Sequence, residues 1–261
     1  MEIEFLYDIG QGWIYAASLI LLIGTGELGR RIGARVRARG PGAHPALGTI
    51  ESASLGLLAL MIGFTFAMAL SRYDSRKAAV LDESNAIGTA LLRTQLLPPA
   101  EAQSSAGLLA RYARIRLTLG TSGADRAARA DAIKQSLALQ NELWRQAVAA
   151  AATDARSTPI GLYIQALNDM IDMHEKRLTA LGNHVPETAV LLLYLIALVA
   201  TGFTGYGAGL AGDRERGSKL LMAVLIATVL ILVIDLDRPY RGLVTVSQQP
   251  MLDLIQGLPP A

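Results

Sequence analysis

Four long apolar runs constrain this chain more than any other feature of its sequence. Crossing a bilayer takes about 20 mostly apolar helical residues, and four stretches reach or approach that length. They are 13–29, 53–70, 188–212 and 220–234, and only Glu27 in the first of them is charged. Buried helices of a soluble bundle are the alternative, but the second and third runs are too long and too free of charge to favour it. The sequence therefore predicts an integral membrane protein with four transmembrane helices.

The composition agrees with a membrane protein and argues against several soluble functions. Hydrophobic residues make up 52% of the chain and charged residues only 18%, against about 25% charged residues in soluble domains. The absence of cysteine excludes disulfides, thiolate catalysis and Cys-ligated metals. The histidines, His44, His174 and His184, show no metal-ligand spacing. No catalytic residues, metal site or cofactor are therefore expected, and the chain is not predicted to be an enzyme.

The polar segment between the second and third runs is predicted to form a helical extramembrane domain. Pro98-Pro99, the turn at 120–123 and Gly182-Asn183 divide it into helices, and Thr158 is the expected N-cap of the last helix. The predicted fold class is all-α. The predicted organisation is transmembrane helices 1 and 2 in 1–70, the helical domain in 71–187, transmembrane helices 3 and 4 in 188–236, and a short, turn-rich tail in 237–261.

The last helix of this domain shows a regular apolar seam, with steps of four and three residues that favour packing against another helix. The seam consists of Ile160, Ile164, Leu167, Ile171, His174, Leu178 and Leu181. Within it, His174 is predicted to be a hydrogen-bonded core residue rather than a ligand.

The distribution of basic residues predicts the orientation in the inner membrane. The first short loop contains Arg30, Arg31, Arg35, Arg37 and Arg39, and the loop before the fourth run adds Arg214, Arg216 and Lys219. The positive-inside rule places both loops in the cytoplasm and the helical domain and both termini outside. The cluster also suits anionic lipid headgroups, whereas nucleic-acid binding is not expected because no aromatic residues interleave with the arginines.

The second run contains a candidate pore row. Gly56, Leu60, Phe64 and Met68 recur every four residues, so they lie near one face of a helix. In a symmetric ring of subunits, such a row forms an apolar constriction of the kind that gates by dewetting. Ordinary helix packing or contact with lipid is the alternative.

Two motifs at the end of this run resemble those of a known channel family. Gly63-Phe64 and, seven residues after Phe64, Ser71-Arg72-Tyr73 resemble the end of the second membrane helix of bestrophin channels. More specifically, three segments resemble the prokaryotic bestrophin-like family over nearly the whole chain. These segments are 63–74, 83–89, and 235–239 with 242–243 and 246–248.

The resemblance implies a homopentameric ion channel whose neck is formed by Leu60 and Phe64, with Gly56 at the outer position. Gly56 supplies no bulky ring, and the acidic run of the bestrophin calcium clasp is reduced to Asp235 and Asp237, so calcium gating is not expected. Bestrophins keep their helical insert in the cytosol, which conflicts with the orientation from the arginines; the arginine count is preferred because it is read from this chain.

Further polar residues near the ends of the runs have two interpretations each. Arg72, Arg76, Glu83 and Asn85 are candidates for a vestibule or for gating, or else form a solvated helical face. The end of the fourth run is expected to form interfacial ion pairs or a helix cap, through Asp235, Asp237 and Arg238.

The predicted function is a homo-oligomeric ion channel, with copies of itself, membrane lipid and inorganic ions as partners. The alternative is a non-conducting membrane sensor whose helical domain binds a ligand or a partner.

Overall fold

The computed structural model describes residues 10–40, 47–120, 126–154, 156–213, 217–240 and 242–258, and every helix or strand assigned within these ranges is an α-helix. The helices in chain order are α1 (Gln11–Arg37), α2 (Leu47–Thr94), α3 (Pro99–Thr118), α4 (Arg126–Thr153), α5 (Thr158–Gly182), α6 (Glu187–Ala211), α7 (Gly217–Asp237) and α8 (Gln249–Gln256). The predicted positions His44, Arg214 and Arg216, and residues 121–123 of the predicted turn, lie outside the described residues.

Four helical stretches are long and apolar enough to span a bilayer, as the sequence predicts. They are Gln11–Arg37, Gly48–Thr94, Thr158–Ala211 and Gly217–Asp237. The third of them is divided by Asn183–Pro186 into α5 and α6, and the apolar run lies in α6. An all-α fold with four apolar helices is therefore confirmed.

The helix boundaries follow the local sequence signals closely. The helix of the second run continues without a break to Thr94, and α3 starts at Pro99, where a missing N–H costs nothing. One prediction is wrong by a residue: the N-cap of α5 is Ser157, whose Oγ accepts a hydrogen bond from the Ile160 N–H at 3.5 Å. Thr158 is instead the first residue of that helix.

The chain divides into two compact units. The first unit comprises residues up to 72, 184–238 and 242–244, and so contains α1, the first part of α2, α6 and α7. Its core is aliphatic, and its largest members include Leu22, Leu58, Leu193 and Leu230. Small residues such as Ala197 occupy the rest of this core.

Glycines bring α1 and α6 into backbone contact within the first unit. A Cβ atom on Gly29 or Gly33 would overlap the carbonyl oxygen of Gly202 or Tyr206, and a Cβ on Gly205 would overlap that of Gly26. Residue numbers increase together along both helices, so α1 and α6 are parallel. At the far end the Arg37 guanidinium lies against Gly212, whose φ of +73° ends α6 in a left-handed cap.

The second unit comprises residues 73–183, 239–241 and 245–261. Its core includes Ile87, Leu109, Leu143, Leu167 and Met170. This core is surrounded by the part of α2 that follows Arg72 and by the whole of α3, α4, α5 and α8. The tail is not only turns, since α8 forms there and buries Met251 in the same core.

The buried face of α5 differs from the predicted seam. Its fully buried positions include Tyr163, Leu167, Met170, His174 and Arg177. These positions also step by four and three residues, but they form a face of the helix that only partly overlaps the predicted seam and shares Leu167 and His174 with it. The seam members that fall outside it are only half-buried; they are Ile164, Ile171, Leu178 and Leu181.

Candidate pore row and buried ion pairs

The candidate pore row lies on the outside of the single chain. Leu60 is 55% exposed and Phe64 is 59% exposed. Gly56 is exposed, with no atom within 4 Å of the position of a Cβ, and Met68 is half-buried. The row therefore has room for a partner that the single chain does not supply.

The opposite face of α2 is buried within the first unit. Leu58, Thr65 and Ala69 are almost completely inaccessible. The Thr65 hydroxyl donates to the carbonyl oxygen of Met61 at 2.8 Å, so this polar group is satisfied within its own helix. Because the buried face fixes the rotation of α2, the exposure of Leu60 and Phe64 is determined by packing.

Glu83, further along the same helix, is fully buried between two arginines of the second unit. Its Oε1 accepts from Arg116 Nε and its Oε2 accepts from Arg177 Nη1, both at 2.6 Å. Arg177 Nη2 also donates to Gln248 Oε1 at 2.8 Å. One carboxylate thus joins α2, α3 and α5, and Gln248 adds the start of α8. Such a buried network is strongly destabilised when one member is removed.

A second polar chain lies beside these ion pairs. Gln140 Nε2 donates to the Tyr112 hydroxyl at 3.1 Å, and that hydroxyl is hydrogen-bonded to His174 Nδ1 at 3.0 Å. Burial, assisted by the positive charge of Arg116, lowers the pKa of His174 to about 4. Burial also raises the pKa of Tyr112. Both groups are therefore neutral at pH 7, and His174 is the hydrogen-bonded core residue that the sequence predicts.

The vestibule or gating candidates occupy different environments. Arg72 is half-buried and Asn85 is exposed, whereas Arg76 and Glu83 are interior. Arg76 Nη1 donates to the carbonyl oxygen of Asn183 at 3.4 Å. The solvated helical face that was one interpretation of this group does not describe Arg76 and Glu83, because the second unit encloses both side chains.

The acidic residues at the end of α7 bind backbone and side-chain N–H groups. The Asp235 carboxylate accepts from the N–H of Leu243 at 3.0 Å, from the N–H of Val244 at 2.9 Å and from Gln11 Nε2 at 2.6 Å. A side chain at Gly242, whose φ is +148°, would overlap this carboxylate. Asp235 therefore holds a tight turn after the helix, and its lone pairs are directed at donors rather than at a cation.

Asp237 and Arg238 are buried close to that turn. Asp237 Oδ1 accepts from the N–H of Val185 at 2.9 Å, and its Oδ2 lies 3.4 Å from His184 Nδ1. Arg238 is 4% exposed. Within the described ranges, no group of three or more His, Asp or Glu side chains is placed to hold a metal ion.

Arg116, Arg177 and Gln248 complete the environment of Glu83. Sequence reasoning missed both arginines, and it singled out Gln248 only as part of the segment 246–248. A partial signal exists for Arg177, because it follows His174 by three residues and Met170 by seven, on the apolar face of α5. The distance in sequence between Glu83 and either arginine removes any local signal for the pairing itself.

The apolar helices and their glycine-mediated packing define an integral membrane protein of all-α architecture. The family model of the Bestrophin-like domain matches residues 19–251. The chain therefore belongs to the bestrophin-like family.

Solved structures show the same fold. A bacterial bestrophin homologue from Klebsiella pneumoniae, determined by Zn-SAD phasing, has a TM-score of 0.62 and 12% identity, covering 95% of this chain and 99% of that chain. A point variant described as a bacterial bestrophin homologue from the same organism gives a TM-score of 0.64 and 14% identity, covering 91% of this chain and 99% of the other. A search among curated proteins finds no significant sequence match.

Proposed function

We propose that the protein is a homo-oligomeric ion channel, with five copies as the resemblance to bestrophin channels implies. Ions pass along a central axis lined by α2. The observation that carries the proposal is the apolar row of α2, which is exposed in the single chain although it belongs to the longest helix of the fold. Membership in the bestrophin-like family supports the same functional class.

In this proposal Leu60 and Phe64 form the hydrophobic neck, with Gly56 at its end nearer the first arginine-rich loop and Met68 at its end nearer the helical domain. Apolar constrictions gate by excluding water, and rings of large apolar side chains supply such a constriction. Because Gly56 lacks a side chain, the narrow part of the pore is formed by two rings of side chains, those of Leu60 and Phe64, and Gly56 adds no third ring. The neck itself carries no charge and does not select between cations and anions.

Planar-bilayer recordings of purified protein test conduction directly. We expect unitary currents that increase in Phe64→Ala, because a smaller ring widens the neck. Leu70→Ala is the matched control, since Leu70 is an exposed residue of the same helix roughly 120° around from Phe64. Absence of currents, or equal currents in both variants and the native protein, contradicts the pore. A dimer without a central hole would favour the sensor instead.

The proposal assigns the polar residues after the span to positioning and gating. Arg72 and Asn85 are accessible to a vestibule, whereas Glu83 and Arg76 hold the later part of α2 within the second unit. The turn held by Asp235, together with Asp237 and Arg238, fixes the end of α7, and no calcium dependence is expected because N–H donors occupy Asp235.

The proposed topology is a multi-pass protein of the inner membrane, with its spans in 1–70 and 188–236 and an extramembrane helical domain in 71–187. The short arginine-rich loops face the cytoplasm, and the domain faces outward. Because the chain contains no cysteine, single replacements are clean reporters. In intact cells an impermeant maleimide should label Lys134→Cys and not Arg39→Cys. The reverse pattern would support the orientation of the bestrophins.

A further inference from the structure

A cavity of about 490 Å³ opens between α1, α6 and α7 in the first unit. Its walls are mainly aliphatic and include Leu22, Ile23, Leu220, Met222 and Ala223. Gly26, Gly205 and Gly217 also line it, and a Cβ on Gly217 would meet no atom within 4 Å. An apolar space of this kind between apolar helices suits a hydrocarbon chain.

Charged groups line one part of this cavity. They are Glu27, Arg30 and Lys219. The carboxylate of Glu27 is shared by Arg30 at 2.7 Å and by Arg31 at 2.9 Å, which leaves one positive charge in excess. Lys219 pairs with Asp213 at 2.8 Å, and both side chains of that pair remain partly exposed. The basic groups are therefore able to take a further anionic partner.

A smaller recess of about 310 Å³ shares part of its lining with the cavity. It shares Thr204 and Lys219 with the cavity and adds the acids Glu51 and Asp213. The buried Thr204 hydroxyl has no hydrogen-bond partner within the described ranges. The acids disfavour an anion inside the recess, so an anionic group is directed to the side of Arg30 and Arg31, with Lys219 at the border of the two spaces.

The charged part of the cavity lies toward the basic end of the first unit. Arg37 at the end of α1 lies against Gly212 at the end of α6, and Arg35 is on the last turn of the same α1. A basic border at the end of apolar helices is the arrangement that attracts anionic lipid at the membrane surface.

We propose that this cavity binds one acyl chain of an anionic phospholipid, whose phosphate pairs with Arg30, Arg31 and Lys219. The inference rests on the proposed membrane location but not on conduction. The aliphatic walls accommodate the chain, and the excess positive charge beside Glu27 selects an anionic headgroup over a zwitterionic one. The Thr204 hydroxyl donates a hydrogen bond to an ester oxygen of the lipid, at the boundary between the apolar and the charged parts of the cavity.

Native mass spectrometry of the full chain, released from nanodiscs, tests the site. The nanodiscs contain phosphatidylcholine alone or with phosphatidylglycerol. We expect retained phosphatidylglycerol in preference to phosphatidylcholine. Lys219→Gln should weaken that retention about fivefold, while Lys134→Gln, at an exposed residue of α4, should leave it unchanged.

A second variant tests the acyl chain separately from the headgroup. Gly217→Phe adds a phenyl ring at the border of the cavity and should reduce retention of the lipid. Gly107→Phe, at an exposed glycine of α3 with open space around it, should not. Equal retention of both lipids, no effect of either variant, or a second copy of the chain seated in the cavity overturns the proposal. Because lipid retention is measured without current, a non-conducting protein that keeps its lipid refutes only the channel.

Discussion

Replacing Gly29 by alanine is expected to force α1 and α6 apart. A Cβ atom at this position would overlap the carbonyl oxygen of Gly202 and lie 3.0 Å from the backbone nitrogen of Tyr206. Both obstacles are backbone atoms of another helix, so no side-chain rotation relieves the overlap. The two helices must therefore separate by roughly 1 Å, and packed interiors lose much of their dispersion attraction over such a gap.

The expected free-energy change combines two opposing effects. Alanine favours the helix over glycine by about 1 kcal/mol, whereas overpacking a close contact costs about 1–3 kcal/mol. Gly24 provides the control, because it lies five residues earlier in α1 and a Cβ there would meet no atom within 4 Å. Gly24→Ala should thus be neutral or stabilising, and Gly29→Ala should destabilise the protein by about 2 kcal/mol relative to it.

Thermal unfolding in detergent, followed by loss of the folded peak in size-exclusion chromatography, measures this difference. Gly205→Ala should behave like Gly29→Ala, since a Cβ on Gly205 would overlap the backbone of Gly26. If the Gly29 and Gly24 variants unfold at the same temperature, the close approach of α1 and α6 is refuted.

The remaining predictions concern buried polar groups. Glu83→Gln should lower the free energy of unfolding by about 3 kcal/mol, because it leaves two buried arginines without their counter-charge; in the same thermal assay the exposed Glu175→Gln should change little. His174 has a pKa of about 4 when folded and about 6.5 when unfolded. The contribution of the neutral His174 side chain to the free energy of unfolding is complete above about pH 6.5. It is lost as the pH falls toward 4, by about 3 kcal/mol in total. The free energy of unfolding of His174→Asn should therefore depend less on pH in that interval. Asp235→Asn should destabilise the turn after α7 by about 1–3 kcal/mol, measured by proteolysis of the tail, with the exposed Asp169→Asn as control.

The membrane helices are predictable from the sequence because bilayer thickness fixes their length and composition. The run at 188–212 needs no tertiary information to be recognised, and α6 spans Glu187–Ala211. The continuation of α2 through Arg72 is predictable for a related reason, since no proline or glycine pair interrupts it before Pro98. Local rules of helix initiation and termination account for both outcomes.

The buried network around Glu83 was not predictable in the same way. Whether a glutamate is solvated or paired depends on which helices surround it, and Arg116 and Arg177 come from two other helices. The helix α8 is similarly hidden, because its eight residues follow a turn-like stretch that contains Pro239 and Gly242, and they become helical while burying Met251 in the core of the second unit.

The packing of α1 on α6 did leave a signal in the sequence. Gly26, Gly29 and Gly33 have the same spacing of three and four residues as Gly202, Gly205 and Gly209, and matched small residues on two apolar helices indicate close packing in membranes. Read separately, Gly26 and Gly29 together with Gly24 resemble a dinucleotide fingerprint, which is rejected because no strand precedes them and they lie at the end of an apolar run. The signal for close packing is the matching glycine spacing in α1 and α6, and it becomes visible only when the two spans are compared.

The parallel packing of α1 and α6 also bears on the proposed topology. Two parallel spans cross the membrane in the same direction, so the chain leaves the first span on one side and enters the second from the other side. The segment between them must therefore cross the membrane an odd number of times. In the proposed topology the uncharged part of α2 supplies one crossing, because α3, α4 and α5 contain no comparable apolar run before α6. The connections that follow α1 and α6 then start on the same side of the membrane, because Arg37 at the end of α1 lies beside Gly212 at the end of α6. Their arginines add to one another rather than cancel, which is the condition under which the positive-inside rule determines orientation.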